Sequence, residues 1–336
     1  MMGEFDLIAT YFKRPVRQAV VGVGDDCALV QPTPGTQLAI SSDMLVEGRH
    51  FLSTVSPERL GHKALAVNLS DLAACGATPR AFTLALALPR VDTAWLAGFS
   101  KGLFALADAH GCELIGGDTT QGPLNICITV LGDVPVLDGK SQALLRSGAQ
   151  VGDDVYVSGQ LGDARLALEV FRGHQQVPAE VFEHARLRME QPTPRVALGQ
   201  ALRGVAHAAI DVSDGFLGDL HHVLDASHVG ACIDTDIAIH LLAARAHSTC
   251  ATAAFIPKID EARALQWVLA GGDDYELVFT APPHYADRVA RAAQQSATPV
   301  TRIGRIEAAP GIRLVNGHGE SVSGNFPSFD HFQSCA

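Results

Sequence analysis

Aspartates recur beside glycine or serine at positions where predicted strands end. They occur in the stretches GDD 24–26, SSD 41–43, GGD 116–118, DVSD 211–214 and GGDD 271–274. Carboxylate oxygens are the ligands that magnesium prefers, with water and substrate phosphates completing its coordination. Glycine beside them lets a phosphate approach the backbone closely. Each stretch alone is more typical of an ordinary surface turn, so it is their joint occurrence that favours a site for magnesium and phosphate groups.

Two of these aspartates are adjacent, in the apolar run VGVGDDCALV at 21–30. Two carboxylates about 4 Å apart repel by about 4 kcal/mol at an effective dielectric near 20. Either both side chains of Asp25 and Asp26 face water at a turn, or a cation lies between them. The doublet by itself leaves both explanations open.

A sixth acidic position, Asp71, lies inside a predicted helix rather than at a strand end. Ser56-Pro57 is a typical helix start, and the apolar pattern runs from there to Gly76, a typical end. Asn68 and Asp71 are three residues apart and therefore share one helix face. A carboxylate in the middle of an apolar helix cannot cap its N-terminus, so a functional role is as well supported as a structural one.

Composition limits the class of protein. The chain has 336 residues, a formal net charge of −11 and 47% hydrophobic residues, which suits a globular enzyme of about two domains. It has no basic clusters of the kind that bind nucleic acid. The first residues are acidic, unlike a signal peptide, and the apolar runs are strand-sized, too short for a membrane span. We therefore expect a cytoplasmic protein with no nucleic-acid or membrane partner.

The cysteines do not form a recognisable framework. Their number is odd and no CxxC pair occurs, so neither a disulfide scaffold nor a zinc knuckle is predicted. We expect most of them to be packing residues. They are Cys27, Cys75, Cys112, Cys127, Cys232, Cys250 and Cys335.

Two apparent phosphate-binding motifs are incomplete. GKS at 139–141 would need glycine at 134 for a P-loop, and Val134 stands there. Gly22 and Gly24 begin a dinucleotide-binding fingerprint, but its sixth position is Cys27. The sequence therefore contains neither of these common nucleotide-binding loops.

Hydrophobic periodicity predicts a mixed α/β chain with two domains. In the first half, helices are expected near 56–76 and 92–110 and strands near 37–43 and 81–88, and a second series of strands and helices follows. The segment PVLDGKSQALLRSGAQVGDD at 135–154 is rich in turns, and 308–336 reads as a loop-rich tail. The expected organisation is an N-terminal domain at 1–137, a linker at 138–152 and a C-terminal domain at 153–336.

At this point the residues resemble a known family. The chain is similar, nearly end to end, to the thiamine-monophosphate kinases, of the ATP-binding superfamily that includes aminoimidazole ribonucleotide synthetase. VEGRHF and the terminal FDHF favour this family over its relatives. The other matching stretches, in order, are GEFDLIATYF, VGDDCALV, LAISSDMLVEGRHF, HKALAVNLSDLAACGATP, LIGGDTTQGPL, RSGAQVGDDVYVSGQLGDA, AAIDVSDGFLGDL and GGDDYELVFT.

The resemblance implies a two-domain α/β fold of the aminoimidazole ribonucleotide synthetase type, with an N-terminal mixed sheet used in a homodimer. It implies ATP-dependent phosphorylation of thiamine monophosphate to thiamine diphosphate, the last step of thiamine diphosphate synthesis, with several magnesium ions. By position, the implied metal ligands are Asp26, Ser41, Ser42, Asp43, Asp71, Asp118, Asp211 and Asp214. The implied nucleotide contacts are Gly117, Asp118, Arg146 and Ser213.

Substrate contacts are implied for His50, Asp273 and Phe326. The last two depart from the family pattern: Asp273 stands where glutamate is expected, and Phe326 where tryptophan is expected. A phenyl ring can still stack on the substrate's rings, with less area. Without the motif, His50 would be interpreted as an ordinary loop histidine and Arg146 as part of a surface ion pair.

The acceptor of such a reaction is a phosphate oxygen, already ionised at neutral pH, so no general base is required. We therefore expect direct, in-line transfer of the γ-phosphoryl group without a phospho-enzyme. Asp71 and Asp26 would share bridging metals, Asp43 and Asp118 would place metal on the ATP phosphates, and Arg146 would supply positive charge.

Two alternatives remain. One is another enzyme of the same superfamily, some of which carry a reactive cysteine, as the penultimate Cys335 could be. The other is a non-catalytic nucleotide or thiamine diphosphate binding protein. Intact aspartates at all six implied carboxylate ligand positions argue against the second alternative.

Overall fold

The computed structural model describes residues 3–244 and 259–329. The chain divides into two compact units, which meet in sequence between Ala143 and Leu144, with Ala73–Cys75 grouped with the second unit. This division falls inside the segment 138–152. The mixed α/β class expected from the sequence is confirmed in both units.

The first unit is a mixed sheet with helices. Strands β3, β6, β4 and β5 lie in that order, with β3, β6 and β4 antiparallel, β4 and β5 parallel, and β7 paired to β6; β1 and β2 form a separate ribbon. The bounds are α1 Glu4–Tyr11, β1 Ala19–Val21, β2 Leu29–Val30, β3 Thr36–Val46, α2 Pro57–Ala74, β4 Thr78–Leu88, α3 Thr93–Ala109, β5 Glu113–Gln121, β6 Asn125–Leu137 and β7 Lys140–Ser141.

The two faces of this sheet differ in burial. Along β4, Phe82, Leu84 and Leu86 are buried on one face, whereas Thr83 and Ala85 of the other face are partly or fully exposed. This alternation is expected of a strand with one covered face. The side chains of α2 contact β3 on the covered face.

The second unit has a six-stranded sheet in the order β13-β10-β12-β8-β11-β9. Its helices and strands enclose an apolar core that includes Phe216, Leu220 and Trp267. The bounds are β8 Asp154–Ser158, α4 Asp163–Phe171, α5 Ala179–Glu190, α6 Val196–Ala201, β9 Ala208–Asp211, α7 Phe216–Ser227, β10 Gly230–Asp234, α8 Thr235–Ala238, α9 Glu261–Ala270, β11 Leu277–Ala281, α10 Ala286–Gln295, β12 Val300–Glu307 and β13 Gly311–Val315, with short 3₁₀ turns at Ile239–Leu241 and Pro283–Tyr285.

Most predicted elements of the first half are confirmed, including α2 and α3 within two residues of their expected ends. The expectation of a loop-rich tail is wrong for Gly311–Val315, which pairs in parallel with β10 as β13. Cys250, Cys335 and the end of the FDHF stretch lie outside the described residues. Within the described residues, every helix is too short or too polar to cross a membrane.

Candidate functional site

The first unit brings together a serine, two aspartates and an asparagine from β3 and α2. Ser41 Oγ donates a hydrogen bond to Asp71 Oδ2 at 2.5 Å, and the Asp43 N–H donates to Asn68 Oδ1 at 3.0 Å. Asn68 is buried and its amide donates to the Ala64 carbonyl, which fixes its orientation. The helix face predicted from the spacing of Asn68 and Asp71 therefore faces the strand that carries Ser41 and Asp43.

Ser42 lies on the other side of β3. Its hydroxyl is 2.9 Å from Thr129 Oγ1 and donates to the Ile128 carbonyl at 3.2 Å on the neighbouring strand β6. Alternation along a strand sends successive side chains to opposite faces. Of the two serines, the structure thus places Ser41, and not Ser42, beside Asp71.

The strand register separates Asp118 from Asp43. Asp43 shares a cross-strand row with Gly117, through Ile128 and Leu84. Asp118 pairs with Ala85 in the next row, and its side chain is exposed. Three strand spacings lie between β3 and β5, so the two ends of the row are about 14 Å apart.

The backbone conformation at position 117 requires glycine. Its φ is +147°, and a Cβ there would lie 1.8 Å from the Leu84 carbonyl oxygen. Any larger residue would have to displace the main chain of β4. The glycine beside Asp118 therefore serves close packing within the sheet, whatever it also offers a ligand.

The GDD loop faces water. Asp25 and Asp26 are both exposed, and the Asp26 N–H donates to Asp25 Oδ1 at 2.9 Å. Both side chains are thus exposed at a turn, with Asp25 orienting the loop, which leaves the Asp26 carboxylate accessible to a cation as well as to water. Lys13, which the sequence did not single out, lies beside it: a Cβ at Gly24 would be 2.9 Å from Lys13 Nζ.

His50 accepts a hydrogen bond at Nδ1 from the Val46 N–H at 2.9 Å, in the turn after β3. Because the acceptor nitrogen carries a lone pair in this contact, the ring proton is on Nε2. The half-buried ring is thus held in one tautomer, with its Nε2–H as a hydrogen-bond donor.

In the second unit, the DVSD loop joins β9 to α7. Asp219 Oδ2, from the first turns of α7, accepts from the N–H groups of Ser213, Asp214 and Gly215 at 3.0, 3.1 and 3.1 Å. Burial and the nearby Asp214 carboxylate raise the pKa of Asp219 to about 7, whereas the three N–H groups act to lower it. Sequence reasoning missed Asp219, although a carboxylate five residues after the SD pair is a detectable signal.

The GGDDYE stretch folds against this loop. The Asp273 N–H donates to the Ser213 carbonyl at 2.7 Å, and the Tyr275 N–H donates to the Val212 carbonyl at 2.8 Å. Asp273 and Tyr275 have left-handed φ values of +63° and +52°. Aspartate tolerates this conformation better than most residues, and the two predicted stretches DVSD and GGDDYE are thus brought together.

The other acids of GGDDYE are structural. Glu276 is fully buried and binds both Arg188 and Arg195 at 2.6 Å, with Ser158 Oγ also donating at 2.6 Å. Asp274 accepts from the Gly162 N–H at the start of α4, and burial raises its pKa well above the usual range. These two carboxylates fix strands and helices around the loop.

The C-terminal segment passes over the same loop. The Phe329 N–H donates to the Asp214 carbonyl at 3.1 Å, and a Cβ at Gly218 on α7 would be 2.4 Å from Ser328 Oγ. Phe326 packs against the core of the second unit. Arg146, at the start of this unit, has an exposed side chain, and its carbonyl accepts from Ser227 Oγ at 3.2 Å.

The donor set is suited to a hard divalent cation, because it consists of carboxylate and hydroxyl oxygens. Across residues 3–244 and 259–329, however, no three His, Cys, Asp or Glu side chains are grouped closely enough to hold a metal by themselves. Magnesium commonly binds through one or two carboxylates, with water and substrate phosphates supplying the rest. The residues therefore fit magnesium that arrives with a phosphorylated substrate.

Comparison with known proteins defines the class. Residues 24–134 match the N-terminal domain, and residues 150–316 the C-terminal domain, of AIR synthase related proteins. A thiamine-monophosphate kinase of Salmonella typhimurium is 44% identical over 98% of both chains. The chain belongs to the thiamine-monophosphate kinase family.

Solved structures agree with this assignment. A thiamine-monophosphate kinase from Stenotrophomonas maltophilia has a TM-score of 0.77 and 42% identity, covering 91% of this chain and 92% of its own. AaThiL complexed with AMPPCP and TMP has a TM-score of 0.71 and 26% identity, covering 90% and 89%.

Proposed function

We propose that this chain transfers the γ-phosphoryl group of ATP to thiamine monophosphate, giving thiamine diphosphate and ADP. The observation that carries the proposal is whole-length likeness to the thiamine-monophosphate kinases, including one complexed with an ATP analogue and TMP. The reaction forms a bond from an acceptor phosphate oxygen to the γ-phosphorus and breaks the bond from that phosphorus to the β–γ bridging oxygen. The acceptor oxygen is already ionised, so the chain need not remove a proton.

The main difficulty is electrostatic, because two polyanionic substrates must approach each other on a chain whose net charge is −11. Magnesium would supply the charge neutralisation and alignment that such a transfer needs. In the first unit we assign its ligation to Asp26, Asp43, Asp71 and Asp118, with Ser41 and Ser42 as further oxygens; in the second unit we assign it to Asp211 and Asp214. Because three strand spacings, about 14 Å, separate the strands of Asp43 and Asp118, these two carboxylates would hold different magnesium ions.

The contact between Ser41 and Asp71 supports this assignment most directly. A hydroxyl that donates to a carboxylate fixes its rotamer and leaves its remaining lone pairs for a cation. Ser42 is the least supported of the set, since its hydroxyl is engaged with β6.

The remaining assigned residues contact substrates. Arg146, with its exposed guanidinium, adds positive charge for the transferred phosphoryl group, and Gly117, Asp118 and Ser213 bind the nucleotide. His50 offers its Nε2–H to the acceptor substrate. Asp273 places a negative charge near the cationic thiazolium ring, and Phe326 offers an aromatic ring for stacking.

We also propose that the protein is a homodimer formed through the open face of the first unit's sheet. Leu38, Ile40 and Met44 on β3 are 52%, 61% and 53% exposed, in a single alternating row. Cys127 and Leu131 of β6 lie opposite Met44 and Ile40 on that face. An apolar sheet face of this kind commonly marks an interface, and its twofold self-pairing would cover both copies.

We place the protein in the cytoplasm. Five cysteines, Cys27, Cys75, Cys112, Cys127 and Cys232, are free thiols in the described part of the chain, and a reducing compartment keeps thiols in this state.

A single assay tests the activity. Purified protein is incubated with ATP, magnesium and thiamine monophosphate, and the thiamine esters are separated by chromatography, with unphosphorylated thiamine and a chelator as parallel reactions. We expect diphosphate from the monophosphate, and none when the metal is chelated. Binding of ATP without formation of any diphosphate would favour a non-catalytic nucleotide-binding protein instead.

A further inference from the structure

The loop between β9 and α7 has the backbone geometry of an anion-binding loop. The N–H groups of Ser213, Asp214 and Gly215 are consecutive and converge on one oxygen atom. In phosphate-binding loops such a concave row of N–H groups holds a phosphate oxygen. Here the oxygen belongs to the side chain of Asp219 in the same chain. Asp219 is buried, with only 4% of the residue exposed.

The carbonyl groups of the same loop are also engaged. The Val212, Ser213 and Asp214 carbonyls accept from the N–H groups of Tyr275, Asp273 and Phe329, respectively. The loop is therefore fixed on both sides of its main chain, by a carboxylate from α7 and by the backbones of two other segments.

We infer that Asp219 is a positioning residue whose carboxylate takes the place that a phosphate oxygen takes in anion-binding loops. With these three N–H groups occupied internally, the loop has only oxygen atoms of side chains and carbonyls to offer a ligand, and no open N–H group at 213–215. A loop of this kind selects a cation, and through it a metal-bound nucleotide phosphate, rather than a bare phosphate. The inference deepens the proposed function. Only its kinetic test rests on that function, whereas its hydrogen-exchange test does not.

Charge supports this reading. Asp211, Asp214 and Asp219 lie within nine residues, and an anion would meet their combined negative potential. The same potential favours a divalent cation. Without Asp219, the three N–H groups would be open to an anion, and the loop would lose the contact that holds Asp214 in place.

The test uses amide hydrogen exchange of the peptide that covers residues 208–220 in the full-length protein, with inorganic phosphate as the probe and chelator present. In the unchanged protein we expect slow exchange at positions 213–215 and no effect of phosphate. In Asp219→Ala we expect exchange there to be at least about tenfold faster, and phosphate to slow it again. Asp225→Ala is the matched control, because Asp225 lies on α7, is exposed, and its carboxylate pairs with His221 at 3.3 Å on the surface.

Enzyme kinetics give the second readout. Asp219→Ala should raise the magnesium concentration for half-maximal rate by roughly ten- to a hundredfold, the usual effect of removing a residue that orients a ligand. Asp219→Asn keeps an acceptor oxygen and should restore both slow exchange and most of the magnesium affinity. If Asp219→Ala does not fold, Asp219→Asn is measured in its place, and fast exchange at 213–215 in that variant would overturn the inference.

Two outcomes would overturn the inference: wild-type exchange rates at 213–215 in Asp219→Ala, or phosphate slowing exchange equally in the unchanged protein. Failure of the proposed function is a separate result, since it would appear as absence of thiamine diphosphate while the exchange measurements remain interpretable.

Discussion

Ser41 on β3 donates its hydroxyl hydrogen to Asp71 Oδ2 on α2 across 2.5 Å. Hydrogen bonds from a hydroxyl to a carboxylate are among the shorter ones in proteins. This bond joins a strand and a helix whose residues are thirty positions apart in the chain. The side chain of Asp71 is therefore held in one orientation before any ligand arrives.

The first prediction concerns this pair. Asp71→Asn should lower kcat/KM about a hundredfold or more, because a metal-bound carboxylate contributes several kcal/mol to charge stabilisation. Ser41→Ala should lower it by about ten- to a hundredfold, because the carboxylate remains but is no longer oriented. Rates measured across a magnesium titration check both.

Asp108→Asn is the control for that series. Asp108 is 64% exposed in its side chain and pairs with Arg14 on the surface, a contact worth at most about 1 kcal/mol. Its variant should match the unchanged protein in rate and in magnesium dependence. An Asp71→Asn protein with the same magnesium dependence as Asp108→Asn would contradict the assignment of Asp71.

The second prediction uses the exposed thiol next to Asp26. Cys27 should react with iodoacetamide at pH 8, and magnesium with ATP should slow that reaction, because ligation by Asp26 would order the loop and cover it. Burial raises the pKa of Cys112 to about 12, so only about one thiol in 10,000 is ionised at pH 8 and Cys112 should remain unlabelled. Peptide mass spectrometry measures the alkylation of both cysteines. Equal labelling of Cys27 with and without magnesium and ATP would argue against metal at Asp26.

Whether the sequence could predict a given contact of this site depends on whether local geometry or a distant backbone contact forms it. The Asn68–Asp71 face followed from helical spacing, and the strand end at 211–214 followed from the periodicity of its neighbours. The separation of Ser42 from Ser41 was also implicit in strand alternation. These features depend on local geometry, which the sequence determines well. The expected strand ends at 41–43 and 116–118 are wrong, because these residues lie within β3 and β5, which continue to Val46 and Gln121.

Other features depend on register and on distant backbone contacts. Which strand row carries Asp118 is set by a bulge between Phe82 and Thr83, and no local pattern indicates it. The Asp219 carboxylate accepts from three main-chain N–H groups, and the Phe329–Asp214 bond joins two main-chain groups, so the side-chain types of residues 213–215 indicate neither contact. Asp273, whose N–H donates to the Ser213 carbonyl, likewise has a left-handed φ that its local sequence does not indicate.

The third prediction concerns the open sheet face. Ile40→Glu should convert a dimer of the 35.4 kDa chain into a monomer in analytical ultracentrifugation, because a carboxylate would be buried against an apolar partner surface. Val91→Glu, at a residue 49% exposed in the turn before α3, is the control and should leave the mass unchanged. A monomeric unchanged protein would rule out the proposed dimer.

The fourth prediction concerns stability. Glu276→Gln should lower the free energy of unfolding by about 3–5 kcal/mol, because two arginines lose their buried counter-charge. Glu183→Gln, which alters a 53% exposed carboxylate paired with Arg186 at 3.7 Å, should change it by less than about 1 kcal/mol. Urea unfolding of the two variants measures the difference, and similar midpoints for both would show that the buried cluster contributes little.

The fifth prediction separates the two roles of Asp273, its negative charge and its left-handed backbone. Asp273→Asn keeps a residue that tolerates φ of +63° and removes the charge, so it should keep its melting temperature while KM for thiamine monophosphate rises about tenfold, equivalent to about 1.4 kcal/mol. Asp273→Ala loses both and should also cost about 1–2 kcal/mol of stability. Asp273→Glu keeps the charge on a longer side chain and should keep KM near the unchanged value with a lower melting temperature. If the Asn and Glu variants had the same KM, the carboxylate would not contact the cationic ring, and aspartate at this position would be explained by backbone conformation alone.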